Sequence, residues 1–238
     1  MNRPHEKKYI QSVIVILYLL TYGILSFRFL ELFPFIHSDE SWLAGLTLHM
    51  AESRDFSVTE PFFNARVRYP HAIKILFHAL QILFLKLFGY SPETFRLLSL
   101  LAGLFVLFFF YKTAEQLFRN FFFSLGLMVL FSLDIQFIYA SHFARQEILV
   151  LLALVLCLYI FLSNSASCSI AKSIALGCIT GLSVGLHPNS FLIACTMGFC
   201  YLAVYLHNRQ NILRPALIYV GITGGIASLF VAISYCFD

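Results

Sequence analysis

The sequence predicts an all-α integral membrane protein with about seven transmembrane helices and, in the first outward loop, additional interfacial helices. Two features of the composition predict this class: 60% of the 238 residues are hydrophobic, and only 12% are charged. Soluble domains are nearer half apolar and about one quarter charged, so this chain has too little polar surface to face water on all sides. Helices are expected because they satisfy their own backbone hydrogen bonds in lipid.

Apolar segments follow one another along almost the whole chain, and several are near the minimum of about 17 residues for a span. Length alone therefore does not decide which of them cross the membrane. The eight candidate segments are 10–30, 71–88, 93–111, 121–139, 146–163, 172–187, 189–206 and 215–236.

The distribution of basic residues selects a topology, because cytoplasmic loops carry the excess of Lys and Arg. The first apolar segment follows a basic start and lacks a small-residue cleavage site, which predicts an uncleaved signal anchor. All basic connectors fall on the cytoplasmic side only if segment 71–88 does not cross. We therefore predict seven spans, with the N-terminus inside and the C-terminus outside. The basic connectors are the N-terminus (Arg3, Lys7, Lys8), the Lys112 and Arg119 loop, the Lys172 turn, and the Arg209 and Arg214 loop.

Segment 71–88 also has an unusual pattern of polar residues. Lys74, His78, Gln81 and Lys86 recur at near-helical spacing, so a helix here would carry one polar stripe and one apolar face. That pattern is typical of an interfacial helix. The alternative is a spanning helix whose polar stripe faces a cavity.

With an interfacial helix at 71–88, residues 1–238 form a single transmembrane module with two prominent extracytoplasmic loops. The first loop covers 31–92 and the second covers 139–147. Membrane lipids are the expected surroundings of the chain. The net charge of +4 is scattered and forms no basic stripe, so nucleic acid is not an expected partner.

Several kinds of catalytic site are absent from the sequence. The six Cys residues form no CxxC pair and are interpreted as small buried hydrophobes. There is no HExxH zinc motif and no GxSxG nucleophile motif. Candidate functional residues are therefore the charged side chains where the apolar segments end.

Asp39 and Glu40 stand side by side just after the first apolar segment, in "HSDESW". Ser38 or Asp39 can cap the helix that follows, and acids near a helix N-terminus are favoured by the helix dipole. Capping explains one acid but not two. Asp39 and Glu40 are therefore candidate catalytic residues, with capping alone as the alternative.

The stretch "SHFARQE" places His142, Arg145 and Glu147 within six residues at the mouth of a predicted span. Glu147 leads directly into an apolar segment, where a charge is costly unless it has a partner, so it is a functional candidate. The alternative is an ordinary interfacial Arg–Glu pair. Glu40 and Glu147 could together supply oxygen ligands to a divalent metal ion.

Other charged residues give weaker signals. Arg66, Arg68 and His71 form a group of donors in the first loop that could hold a phosphate, although interfacial anchoring is the alternative. Asp134 either lines an outer cavity or is a tolerated polar residue near the membrane boundary. His187 is typical of the end of a span.

Taken in order, these features resemble the N-terminal half of a C-type membrane glycosyltransferase, in the dolichyl-phosphate-mannose–protein mannosyltransferase and aminoarabinose transferase group. Four features carry the resemblance, which covers nearly the whole chain. They are Asp39-Glu40 in the first outward loop, "YPHA" before the next helix, "FGYSPETFR" with Arg96, and Glu147 at the start of a later span.

The resemblance implies an inverting transfer of a sugar from a polyprenyl-phosphate-linked donor to an acceptor on the extracytoplasmic side. It implies that Asp39 is the general base, with Glu40 and Glu147 as further catalytic residues. It also implies a bacterial inner membrane protein with a cytoplasmic N-terminus, acting in protein glycosylation or lipid A modification. The residues that it assigns to the donor phosphate are Arg66, Arg68, His71, Arg96 and Arg145.

Members of this group are considerably longer, so the expectation is a truncated enzyme, or one that acts with a second subunit or a missing C-terminal half. Two other functions stay open: a multispan lipid or solute transporter or flippase, and a non-catalytic membrane assembly subunit. Transporters tend to place polar residues near mid-span. The polar residues here cluster at one face of the membrane, which favours surface chemistry.

Overall fold

A computed structural model describes residues 3–56, 71–163, 169–208 and 212–236, and every regular element in these ranges is helical. The predicted all-α class is therefore confirmed. Two short 3₁₀ segments, His71–Lys74 and Pro188–Ser190, precede α3 and α9. The α-helices are α1 (Arg3–Phe29), α2 (Ser38–Ser53), α3 (Ile75–Phe88), α4 (Pro92–Phe118), α5 (Phe121–Ser132), α6 (Ile135–His142), α7 (Glu147–Leu162), α8 (Ile170–Val184), α9 (Phe191–Asn208) and α10 (Leu213–Cys236).

Four stretches of the described chain are long and apolar enough to cross a membrane: Glu6–Phe29, Pro92–Phe118, Pro188–His207 and Leu213–Cys236. Helices α5 and α6 give a fifth if they are counted as one span bent by 66°. Helices α7 and α8 are only about 22–24 Å long, against a hydrocarbon core of about 30 Å. The chain is an integral membrane protein, and the count of seven spans stays a prediction because of α7 and α8.

Helices α1 and α4 are antiparallel, which bears on the placement of segment 71–88. At one end of the pair, Arg96 of α4 donates to the carbonyl of Leu30, which follows α1, at 2.7 Å. At the other end, Lys8 of α1 and Lys112 of α4 line one cavity. If the segment between these helices contained a span, α1 and α4 would be parallel. The antiparallel pair is the arrangement expected if 71–88 does not cross, and the placement of this segment stays a prediction.

The middle of the polar stripe faces the protein interior, whereas Lys86 at its end is exposed. His78 and Gln81 are fully buried, and Thr47 Oγ1 of α2 lies 2.8 Å from His78 Nδ1 and 2.6 Å from Gln81 Oε1. The exposed side of α3 carries apolar residues such as Leu87. Helix α2 thus provides the hydrogen-bond partner that these buried polar groups require. The interfacial placement of 71–88 stays a prediction.

Glycine residues allow α8 and α10 to pack closely. A Cβ atom at Gly181 would lie only 2.7 Å from the Cβ of Ile226, and one at Gly177 would lie 2.9 Å from the Cβ of Ile222. Small residues spaced four apart commonly bring membrane helices together. This contact positions the turn after α8, which is part of the candidate site.

Candidate functional site

The candidate site lies at the end of the bundle where α1 ends and where α2, α4 and α7 begin, here called the Asp39 end. Helix α2 begins after His37, whose Nδ1 accepts a hydrogen bond from the backbone N–H of Asp39 at 3.2 Å. The backbone N–H of His37 in turn donates to Glu40 Oε2 at 3.0 Å. The prediction that Ser38 or Asp39 caps this helix is wrong, because His37 takes that role. The Asp39 carboxylate is consequently available to other partners.

Glu40 is buried, with only 4% of its surface exposed, and both of its oxygens accept hydrogen bonds. Its Oε1 accepts from Arg96 Nε at 2.9 Å and from the backbone N–H of Ala144 at 2.7 Å. Its Oε2 accepts from Arg96 Nη2 at 2.7 Å as well as from His37. One carboxylate therefore connects the first loop, the start of α4 and the turn before α7.

Arg96 is 1% exposed and is held entirely by protein groups. In addition to its two bonds with Glu40, its Nη1 donates to the carbonyls of Leu30 at 2.7 Å and Pro34 at 2.9 Å. Its guanidinium carbon lies 6.0 Å from the centre of the Phe143 ring. Arg96 is thus placed to fix the fold of the Asp39 end.

Arg145 stands between the two partly exposed acids of the site. Its Nη1 lies 3.3 Å from Asp39 Oδ2, and its Nη2 lies 2.6 Å from Glu147 Oε1. The side chains of Asp39 and Glu147 are each 45% exposed. The turn that carries Arg145 is held by the bond from Ala144 to Glu40, and Glu147 is the first residue of α7. The structure therefore brings together three of the predicted site residues in a position open to ligands.

Two further residues belong to this electrostatic environment, although the sequence analysis did not select them. Burial lowers the pKa of Lys74, while Glu147 raises it, Arg145 lowers it and Asp39 raises it. Burial also lowers the pKa of His187, and the positive charge of Lys74 lowers it further. The sequence did place Lys74 in the polar stripe of 71–88. Only the tertiary structure shows that the charged groups near Lys74 are Glu147, Arg145 and Asp39.

Backbone contacts bring the Lys74 and His187 segments together. The carbonyl of Gly185, at the end of α8, accepts from the backbone N–H groups of Leu76 at 3.0 Å and Phe77 at 3.3 Å. This holds the start of α3 against the turn between α8 and α9, where His187 caps the second 3₁₀ segment by accepting from the N–H of Asn189 at 3.0 Å.

The remaining candidate residues are placed as follows. Arg66 and Arg68 lie outside the described residues, and for His71 only the backbone is described, at the start of the first 3₁₀ segment. His142 is buried, with its Nδ1 2.9 Å from the carbonyl of Ile138. Asp134 caps α6 by accepting a hydrogen bond from the backbone N–H of Phe137 at 3.0 Å. This cap explains why α6 begins at Ile135, directly after the bend that separates it from α5.

A metal ion at Glu40 and Glu147 stays a prediction. No group of three or more His, Cys, Asp or Glu side chains that could hold a metal occurs in the described ranges. The two oxygens of Glu40 already accept four hydrogen bonds from the protein. Glu147 is the more accessible of the two acids.

An open cavity of about 530 Å³ adjoins the site between α6 and α7. Arg145 and Glu147 lie at one side of it, and Asp134 and Gln136 also line it. The rest of the lining is apolar or aromatic and includes Phe131, Phe143 and Leu151. A molecule with an anionic end and a long apolar part matches this distribution of polarity.

The fold is similar to that of one solved crystal structure, ArnT from Cupriavidus metallidurans bound to undecaprenyl phosphate. The two structures superimpose with a TM-score of 0.68 at 16% sequence identity, over 95% of this chain and 42% of ArnT. No protein-family model matches the sequence, and no curated protein matches it. The likeness shows an ArnT-like fold in a chain that spans less than half the length of ArnT.

Proposed function

We propose that this protein transfers a sugar from a polyprenyl-phosphate-linked donor to an acceptor hydroxyl at the Asp39 end of the bundle. The observation that carries the proposal is the position of Arg145, which contacts both Asp39 and Glu147 at the mouth of an apolar cavity. The structural similarity to ArnT, which was solved with undecaprenyl phosphate, supports the choice of donor.

Arg145 and Lys74 are the cations proposed to bind the donor phosphate. A guanidinium binds phosphate oxygens in a bidentate manner, and a lysine binds them as a point charge. Arg145 is partly exposed, at 32%, so it can exchange a carboxylate partner for a phosphate. Arg66, Arg68 and His71 are proposed to assist from the first loop. Arg96 would have to leave Glu40 to do so, and we assign it a positioning role.

The apolar cavity below Arg145 is proposed to hold the first part of the polyprenyl chain. The aromatic and aliphatic side chains that line it would bury isoprenoid surface, which is favourable at about 25 cal/mol per Å². The anomeric carbon of the donor would then lie next to the phosphate, close to Arg145 and therefore close to Asp39. This arrangement brings the reacting groups into proximity, which is a large part of the catalysis required.

Asp39 is proposed to be the general base. When the phosphate engages Arg145, the Asp39 carboxylate loses its ion-pair partner and can accept the proton of the acceptor hydroxyl. The hydroxyl oxygen attacks the anomeric carbon, the bond from that carbon to the phosphate oxygen breaks, and the lipid phosphate leaves with the electron pair. The configuration inverts because attack and departure occur on opposite faces.

Glu40 and Glu147 are proposed to support this step in different ways. Glu40 binds the backbone of Ala144 and the Arg96 side chain at the start of α4. These bonds keep Asp39 and Arg145 close to each other. Glu147 holds the second guanidinium nitrogen of Arg145. The positive charge of Arg145 and Lys74 can stabilise the leaving phosphate, so the step does not require a metal ion. The Asp39 end is proposed to face the extracytoplasmic side of a bacterial inner membrane.

Replacement of Asp39 tests the proposal in membranes or proteoliposomes that contain the protein with any companion needed for activity. Asp39→Asn keeps the shape of the side chain, and we expect transfer from a polyprenyl-phosphate sugar to fall by about 10²–10⁴-fold, the range for loss of a general base. Glu52→Gln, which removes an exposed acid from the other end of α2, is the control and should retain the wild-type rate. Wild-type transfer by Asp39→Asn would exclude Asp39 as the base.

Donor binding is tested separately from the chemical step. Arg145→Gln should weaken binding of undecaprenyl phosphate, whereas Lys86→Gln, which removes an exposed lysine from α3, should not. Asp39→Asn should bind this lipid at least as well as the wild type, because it removes a competitor for Arg145. Equal binding by the Arg145 variant and the wild type would contradict the assigned phosphate site.

A further inference from the structure

A second cavity, of about 660 Å³, lies between α1 and α4 at the opposite end of the bundle from Asp39. We call it the basic cavity. The two helices are in close contact further along, where a Cβ atom at Gly23 would lie 3.1 Å from Leu104 Cδ1. Toward the start of α1 they leave space between them. The polar part of the cavity is lined by Lys8, Ser12, Lys112, Glu115 and Arg119.

Cations outnumber anions in the basic cavity. Lys112 forms an ion pair with Glu115, with 2.6 Å between its Nζ and the Glu115 Oε2 atom. Among the residues that the structure describes, Lys8 and Arg119 form no ion pair, and both are exposed. The cavity therefore presents two uncompensated positive charges, beside a paired lysine, to anything that enters it.

The inner part of the basic cavity is apolar. Val15 and Ile16 lie about two turns along α1 from Lys8, and Phe108 lies about one turn along α4 from Lys112. Ile16 is exposed, so this part of the cavity opens sideways toward the surrounding lipid. A ligand that fits has a negatively charged group at the membrane surface and an apolar portion directed into the bilayer.

We propose that the basic cavity binds the headgroup of an anionic glycerophospholipid from the leaflet at the N-terminal end of α1. The phosphate would contact Arg119 and Lys8, and the acyl chains would follow Val15, Ile16 and Phe108. Basic pockets between membrane helices bind anionic headgroups in this way, and each nearby Lys or Arg contributes about 1 kcal/mol to membrane attraction. This lipid is separate from the proposed sugar donor, because the cavity is at the other end of α1 and α4.

Native mass spectrometry of the purified protein in detergent tests the proposal, with phosphatidylglycerol as the anionic probe and phosphatidylcholine as the neutral one. The wild type should retain one tightly bound phosphatidylglycerol and bind phosphatidylcholine more weakly. Lys8→Gln and Arg119→Gln should each weaken phosphatidylglycerol binding about fivefold, and the double variant about 25-fold, from the contribution of one cation. Lys86→Gln removes the same charge from α3 and should bind as the wild type does.

Competition distinguishes a lipid headgroup from a free anion. Inorganic phosphate in millimolar excess should leave bound phosphatidylglycerol in place, since it lacks the acyl chains that contact the inner cavity. Displacement by inorganic phosphate would overturn the lipid assignment. Unchanged phosphatidylglycerol binding by a double variant with the thermal unfolding midpoint of the wild type would overturn the site itself, as would equal binding of the two lipids.

Discussion

Glu40 and Arg96, which are 56 residues apart in the chain, form a bidentate ion pair inside the protein, with Arg96 Nε and Nη2 at 2.9 and 2.7 Å from the two carboxylate oxygens. Each of the two Glu40 oxygens also accepts a hydrogen bond from a backbone N–H group, that of His37 or that of Ala144. The acid next to the proposed general base is therefore a structural centre of the site. Asp39 and Arg145, by contrast, meet at the surface, where a ligand can separate them.

Breaking the buried pair should be far more costly than removing an exposed charge. Glu40→Gln leaves the Arg96 guanidinium without its counterion, and we expect a loss of about 3–5 kcal/mol in the free energy of unfolding. Unfolding by denaturant in detergent micelles measures this free energy. Glu52→Gln, which removes an exposed acid from the same helix, is the control. Replacing both Glu40 and Arg96 by Met should cost less than the sum of the single changes, because no charge is left alone. A Glu40→Gln protein as stable as the control would contradict this role.

The electrostatic link between Lys74 and His187 can be measured by NMR titration of the histidine. Burial is the first cause of the lowered pKa of His187, and the charge of Lys74 is the second. Lys74→Met removes that charge, so the pKa of His187 should rise, whereas Lys86→Met on the exposed side of α3 should leave it unchanged. An unaltered His187 titration in Lys74→Met would show that the two side chains are not neighbours.

The same lowered pKa predicts how stability depends on pH. Because the pKa of folded His187 lies below the ordinary value of 6.5, the unfolded chain binds the proton first as the pH falls. Stability should therefore decrease as the pH falls from about 6.5 toward the folded pKa, and level off below it. His187→Gln should remove this part of the pH dependence in thermal unfolding. If the stability of His187→Gln depended on pH as steeply as that of the wild type, groups other than His187 would be responsible for the dependence.

The two ends of the bundle should be accessible from opposite sides of the membrane. Ser38 and Asn189 are exposed in the Asp39 end, and Arg119 is exposed at the end that carries Lys112. In a cysteine-free background, single cysteines at Ser38 and Asn189 should react with an impermeant thiol reagent added outside, and one at Arg119 should not until the membrane is permeabilised. The excess of basic residues at the Arg119 end gives this orientation. Labelling of Ser38 and Arg119 from one side would contradict the antiparallel pairing of α1 and α4.

The close contact of α8 and α10 should not tolerate even a methyl group. Gly181→Ala places a Cβ 2.7 Å from that of Ile226, so the helices must move apart, at a cost of about 1–3 kcal/mol for overpacking. Gly221→Ala on α10 is the matched control, because nothing lies within 4 Å of an added Cβ there. The control should be neutral or slightly stabilised, since alanine is the better helix former. Equal unfolding midpoints for the two variants would contradict the predicted packing.

The sequence by itself determined the class of the protein and predicted how its backbone crosses the membrane. Composition identified the bilayer as its surroundings, and the positions of basic residues predicted that 71–88 does not cross it. Both inferences rest on local properties of the chain, namely apolar length and charge between apolar segments. The antiparallel arrangement of α1 and α4 agrees with the second one, which stays a prediction.

Only the tertiary structure decided which charged groups meet. The sequence pointed to Asp39, Glu40, Arg96, Arg145 and Glu147, but it did not show which of them form ion pairs. In the structure Arg96 pairs with Glu40, and Arg145 pairs with both Asp39 and Glu147. Several cations and several acids occur at the ends of these helices, and helical periodicity does not specify partners on other helices. Partners are chosen by how the helices pack.

Packing also decided that His78 and Gln81 of α3 point inward, and it decided the position of Lys74 just before this helix. A stripe of polar residues is equally compatible with water and with a buried partner, because either one satisfies its hydrogen bonds. Thr47 of α2 supplies that partner, so His78 and Gln81 turn inward. The sequence could specify a helix with two faces, and only the neighbouring helix could specify which face is buried.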